Sequence, residues 1–335
     1  CRSANAVIMG KTVTTELAVY HPGKTRNPAD PLSSPGGSSR GSAAAVADSM
    51  VPLAVGSQTN GSVIRPAAYC GCYGFKPTFG TIPRTGALVQ SPPLDHIGVF
   101  ARSLDDLALL AEVLTGLDPG DPDTRPTARP PLLRTLRQDW PIPPDLAFVR
   151  TPAWSLAADD LGLAFAELVN ALGSRVEEVE LPETFEAAVE THRVVMESDL
   201  AVSFEREHER GREALSERLR GIVESGQRHS AAAYIRARKR VAPLRAALEP
   251  LFRKFDAILT PATTGEAPLL ADGHTGSPVF CTIWTLLGLP ALSLPLLTGT
   301  NGLPVGVQLV GRMGDDARLL RTARWLVQHV AHSEA

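Results

Sequence analysis

Apolar positions recur along this chain in two rhythms. Short continuous apolar runs bounded by glycine or proline, at residues 6–9, 256–260, 291–295 and 305–310, predict buried strands. Helical spacing governs other stretches. Ser103-Leu104-Asp105-Asp106 reads as a capping box, with Leu107, Leu110, Ala111 and Leu114 as the apolar face behind it and Gly116 as the stop. Residues 315–330 predict a closing amphipathic helix with Leu319, Leu320, Ala323, Leu326, Val327 and Val330 inward.

Residues 146–149, 156–172 and 175–181 read as strand, helix, strand, with Gly173 ending the helix, a βαβ unit whose two strands are parallel. Residues 21–35 and 118–144, rich in proline and poor in periodicity, predict irregular surface connections. The alanine-rich stretch 42–49 favours a helix. Residues 184–255 are helical in pattern and heavily charged, with breaks expected near Gly211, Gly226 and Pro243. No internal repeat is present, and the length and pattern together point to one α/β domain over residues 1–335.

Composition narrows the function. A hydrophobic content of 44% supports a large core, and a formal net charge of −3 exerts no pull toward nucleic acid or an anionic membrane. The basic residues between positions 236 and 240 are interrupted by an apolar one and read as a solvated helix face. No apolar run reaches the roughly 18 to 20 residues needed to cross a bilayer, and no secretory leader pattern opens the chain. A cytoplasmic protein without a membrane partner is expected. Cys1, Cys70, Cys72 and Cys281 lack both disulfide-scaffold and metal-site spacing, so they are expected as free thiols.

The chemistry concentrates in two blocks. Gly36-Gly37-Ser38-Ser39-Arg40-Gly41-Ser42 and Gln58-Thr59-Asn60-Gly61-Ser62-Val63 place Ser38 and Ser62 24 positions apart in glycine-supported backbone. Glycines let main-chain N–H groups turn toward a common point, which a nucleophile beside an oxyanion pocket requires. A plain linker would not carry the apolar residues 43–47 and 50–55 between the serines.

These blocks resemble the amidase signature family of Ser-cisSer-Lys amide hydrolases. The resemblance runs from Ala6-Val7-Ile8-Met9-Gly10-Lys11-Thr12 through both serine blocks to Gly74-Phe75-Lys76-Pro77-Thr78 and Leu94-Asp95-His96-Ile97-Gly98. It resumes at Trp284-Thr285-Leu286-Leu287-Gly288-Leu289-Pro290-Ala291 and Gly302-Leu303-Pro304-Val305-Gly306-Val307-Gln308. It implies a large mixed, mostly parallel twisted sheet covered by helices on both faces, incomplete at its amino end. Ser62 is implied as nucleophile, Ser38 as the bridging serine in a cis peptide bond, and the N–H groups of Thr59, Asn60, Gly61 and Ser62 as the oxyanion pocket. No cofactor or metal is implied, and the partner is a small-molecule amide.

The family's lysine lies further upstream of the glycine-serine motif than the 37 residues preceding Ser38. Lys11, Lys24 and Lys76 occupy other blocks, so the chain is expected to be a fragment with little turnover of its own. Gln58 and Asn60 depart from the family's usual Asp and Gly, and Arg40 replaces a small residue, as a structural ion pair or a substrate-facing charge. A triad of Ser62, His96 and Asp95 is disfavoured, because adjacent Asp and His side chains seldom orient one another. Residues 184–255 serve either as a substrate-selecting cover over the entrance or as simple packing. Three readings follow: an amidase, an amidotransferase subunit releasing ammonia from glutamine to amidate tRNA-bound glutamate, and a non-catalytic scaffold. A homodimer is compatible with each.

Overall fold

The computed structural model describes residues 1–333. Its elements in chain order are α1 (Arg40–Ala47), β1 (Leu53–Gln58), α2 (Ile64–Cys70), β2 (Tyr73–Lys76), β3 (His96–Ala101), α3 (Leu104–Leu114), α4 (Leu132–Leu136), β4 (Leu146–Phe148), α5 (Asp159–Leu172) and β5 (Val176–Glu178). They continue with α6 (Ala188–Ser203), α7 (Glu205–Gly211), α8 (Glu217–Arg228), α9 (Ala231–Ala247), α10 (Glu249–Lys254), β6 (Ala257–Pro261), α11 (Val279–Leu286), β7 (Ala291–Thr298), β8 (Pro304–Val310) and α12 (Asp316–Ser333).

The strands form a single eight-stranded sheet in the order β1-β3-β2-β7-β8-β6-β4-β5. Side chains alternate across it as the pleat requires. Leu146, Phe148, Leu259, Leu292, Leu294, Val307 and Leu309 pack on the face covered by α3, α5 and α12. Ala147, Ile258, Ala291 and Val310 point into the opposite core, built with α6, α8, α9 and α11. Helices therefore cover both faces, as expected.

Strand direction differs from the expectation. Only β4 pairs in parallel, with β5 and with β6, while β1–β3, β2–β3, β2–β7, β7–β8 and β6–β8 are antiparallel. The sheet is mixed but mostly antiparallel, because apolar runs specify strands without specifying direction and only the βαβ unit carries a crossover. That unit, β4-α5-β5, is as read from the sequence, with Gly173 in a conformation of φ 56° just past α5.

Ser103 caps α3 by accepting from the Asp106 amide, as its motif predicts. Residues 6–9, expected as a buried strand, are instead irregular, with Val7 82% and Met9 74% exposed: no strand of the described chain pairs with them. Gly226 and Pro243 lie inside α8 and α9 rather than at breaks. Gly226 closely approaches the Glu197 carbonyl, so a packing demand, not a helix end, accounts for it. The connection 118–144 is irregular as expected except for the short α4, whose Leu132 and Leu136 are buried.

Candidate active site

Both serines precede helix N-termini: α1 starts two residues after Ser38 and α2 two residues after Ser62. The dipoles of these helices place partial positive charge beside both serine loops. The loops are stitched together directly. Ser39 N donates to the Ser62 carbonyl at 3.3 Å, while Ser39 Oγ both donates to the Ser57 carbonyl and accepts from the Ser57 amide at 3.2 Å. Beneath this contact lies Gly56, where a Cβ would come within 2.5 Å of Ser39 Oγ and 2.8 Å of the Phe100 ring.

The Gly37–Ser38 peptide bond is cis, as the resemblance implies. Ser38 and Ser62, 4% and 8% exposed, line one small cavity of about 10 Å³ together with Tyr20, Thr59, Asn60 and Arg65. That volume is on the scale of a single water. Gln90, Met196 and Leu200 close its other side, so α6 from the helical region contributes directly to the wall.

Main-chain donors remain in this loop. Among the described residues, no backbone carbonyl accepts from the amides of Thr59, Asn60, Gly61 or Ser62. The next two amides, of Val63 and Ile64, donate to Gln58 Oε1 at 2.7 and 3.0 Å. Gln58 thus caps α2 with an acceptor, the part an aspartate could also play. Its Nε2 adds something a carboxylate lacks: it donates to Thr285 Oγ1 at 2.9 Å. Thr285 Oγ1 in turn donates to the Asn60 carbonyl at 2.5 Å.

The Asn60 side chain is equally committed. Its Oδ1 accepts from Thr282 Oγ1 at 2.7 Å and its Nδ2 donates to Tyr20 Oη at 3.2 Å. Burial, opposed by the nearby Arg65 charge, raises the Tyr20 pKa and keeps the phenol neutral. Arg65 is a brace: Nε and Nη2 donate to the Gly37 carbonyl and Nη1 to that of Gly276. Burial without a carboxylate partner lowers its pKa.

His96 and Asp95 go elsewhere. His96 Nδ1 donates to the Leu94 carbonyl at 2.6 Å and its ring meets Phe79 edge-on at 5.3 Å. Asp95 accepts from the Gln90 and Ser91 amides, and its Oδ1 lies 2.6 Å from Thr59 Oγ1. Gln90 Oε1 lies at the same distance from that hydroxyl, which has one proton to share between them. Asp95 therefore braces the loop at Thr59 from outside, and no triad with Ser62 forms. Another positioning group, His192, had no signature in sequence: its Nε2 donates to the Thr59 carbonyl at 2.9 Å, and burial pushes its pKa down to about 4.

No lysine lines the serine cavity among the described residues. Lys11 and Lys24 are exposed, and Lys76 is fully buried with Nζ donating to the Leu289 carbonyl. Arg40 is neither ion pair nor substrate contact: it is fully buried, and Nη2 donates to the Thr25 carbonyl at 2.6 Å. Cys70, Cys72 and Cys281 are buried free thiols, as expected, and burial pushes Cys72 and Cys281 up to about 12. Among the described residues no helix is long and apolar enough to cross a membrane.

Comparison with known proteins agrees with this architecture. The family model described as Amidase matches residues 1–320. One component of the glutamyl-tRNA(Gln) amidotransferase of Thermus thermophilus is 34% identical over 366 residues, covering 96% of this chain and 75% of that one. The solved peptide amidase of Stenotrophomonas maltophilia superposes with a TM-score of 0.81 at 27% identity, over 98% of this chain and 75% of its own. A chain from a vestigial protein complex tied to the origins of an s-triazine catabolic enzyme reaches a TM-score of 0.90 at 28% identity, over 98% of this chain and 75% of its own.

Proposed function

The chain belongs to the Amidase family, and from that premise we propose that its site hydrolyses a carboxylic amide through an acyl-enzyme on Ser62. The observation that carries the reading is the meeting of the two serines: both line one cavity, next to four amides that no backbone carbonyl of the described chain engages.

In this reading Ser62 Oγ attacks the amide carbonyl carbon as its proton passes to Ser38 and from there to a lysine, which the family resemblance assigns upstream of the serine motif. The C–O bond forms, the carbonyl π electrons move onto oxygen, and the amides of Thr59, Asn60, Gly61 and Ser62 receive the oxyanion. Each such donor is worth about 2.7 to 4 kcal/mol in the transition state. Collapse breaks the C–N bond, the amine leaves with a proton, and water then cleaves the ester. Ser62→Ala in the complete protein loses turnover by roughly six orders of magnitude, whereas turnover of a simple amide unchanged in that variant refutes the reading.

A second reading is favoured by the amidotransferase relatives. Here the same site releases ammonia from glutamine within a multi-subunit enzyme, and a tRNA-bound partner replaces the expected absence of nucleic acid. Isolated protein that hydrolyses simple amides supports the first reading. Ammonia release from glutamine that depends on added partner subunits supports the second.

A further inference from the structure

Behind the serine site lies a second, larger cavity of about 950 Å³. The two share a wall. Gln90 and Met196 face the serines, whereas Pro92, Leu94 and Val195 line the larger space, so the strand entry at 90–95 and one turn of α6 separate them. Nothing in the reaction above uses this cavity.

Its chemistry is uneven. Arg238 and Arg245 project into it from one side of α9, and Arg125 from the 118–144 connection opposite. Arg245 is the half-buried one: Nε donates to the Leu287 carbonyl at 2.9 Å. Its Nη2 lies 3.7 Å from the position a Cβ would take on Gly288, whose φ of 66° keeps that wall free of a side chain. Arg125 is near enough for its charge to add to burial in depressing the Arg245 pKa. Three guanidiniums thus border one cavity, and an anion between Arg125 and Arg245 would meet positive charge on both sides.

The carboxylates of this region are already engaged. Asp123 pairs with Arg84 at 2.5 Å. Asp316 accepts from the Thr78 amide and hydroxyl. Asp199 accepts from Ser91 Oγ and also bonds Tyr234. The rest of the lining is mixed, with Thr78, Thr81 and Thr115 beside the apolar side chains of Phe79, Leu286 and Met313.

We propose that this cavity is a binding site for a small anionic organic molecule, one carboxylate or phosphate group held between Arg125 and Arg245 with an apolar body against Phe79, Leu286 and Met313. Guanidinium forks match both anions in two-pronged geometry, and the volume suits a ligand of ordinary small-molecule size.

The test is calorimetric titration of the complete protein with phenyl phosphate and, separately, with benzoate. Binding of either is expected, with the stronger of the two naming the anion. Arg245→Gln and Arg125→Gln each weaken it about tenfold, the loss of a charge-assisted contact. Arg125 is exposed and bonds no neighbouring carbonyl in α11, so its variant reports on binding even if Arg245→Gln disturbs folding. Arg236→Gln, on α9 but outside the lining, and Ser62→Ala leave the affinity unchanged. Absence of binding overturns the proposal. So does binding indifferent to both arginines or abolished by Ser62→Ala.

Discussion

Arg65 grips the carbonyl oxygen of Gly37 from two nitrogens, Nε at 3.2 Å and Nη2 at 2.7 Å, and so ties the peptide that enters Ser38 to the helix that follows Ser62. Lysine has neither the fork nor the reach to hold this carbonyl and that of Gly276 together. Arg65→Lys is expected to destabilise the protein by about 3 kcal/mol in urea titration, the scale of charge-assisted bonds lost in a buried setting. Amide turnover falls with it, at least tenfold even where the fold is intact by circular dichroism. Full activity in a folded variant would mean that the brace has no part in aligning the serines.

Gln58 is a distinct case, because its two ends do different work. Gln58→Glu keeps an acceptor for Val63 and Ile64 but turns a second oxygen toward Thr285 Oγ1, whose proton is committed to Asn60. The expected cost is about 1 to 3 kcal/mol. Part of it is recovered in the double variant with Thr285→Ala, giving a coupling of at least about 0.5 kcal/mol in a double-mutant cycle. Strict additivity of the two substitutions would refute this account of the loop.

Lys76 supplies a pH dependence. Burial, partly offset by the Asp316 charge, lowers its pKa from 10.5 to about 7. A depressed folded-state value means the unfolded chain holds the proton between pH 7 and 10.5, so this group's contribution to stability is complete above 10.5 and is lost as pH falls toward 7. Denaturant midpoints should therefore carry a component that rises with pH across that window. In Lys76→Met the component disappears, and an identical pH slope in both proteins contradicts the assignment.

Asn60 narrows the serine cavity to the space of one water. Asn60→Gly removes the side chain bonded to Thr282 and Tyr20 while leaving the main-chain donor. The ratio of kcat/KM for butyramide over acetamide should rise, by about tenfold for the added methylenes if the opened space is apolar. An unchanged ratio together with an unchanged kcat would place substrate recognition elsewhere.

Local signals were legible wherever a few adjacent residues decide the outcome. The Ser103 cap, the stop after α5 and the inward face of α12 follow from spacing alone, and the glycine-serine blocks were enough to bring Ser38 and Ser62 into view. Strand direction was not legible, since an apolar run reads the same either way, and the run at 6–9 shows that apolar content alone does not secure a partner. The framework around the serines escaped for another reason. His192 reaches Thr59 across 133 positions, and Thr282 and Thr285 reach Asn60 across 222 and 225. A threonine or a lone histidine on a helix carries no mark of a partner so distant. Thr285 alone lay inside a block that the family resemblance had flagged.

The bare backbone at Gly56 has a consequence for how this chain tolerates change in length. With Ser39 pressed onto β1 and that strand held to β3 from Leu53 opposite Ala101 to Gln58 opposite His96, the interval between the serines behaves as a ruler. One residue inserted inside β1 would swing a side chain under Ser39 and turn the far half of the strand inside out. The same residue added at the exposed turn of Asp48, Ser49 and Met50 would bulge harmlessly into solvent, so lineages that vary the count are expected to do so there.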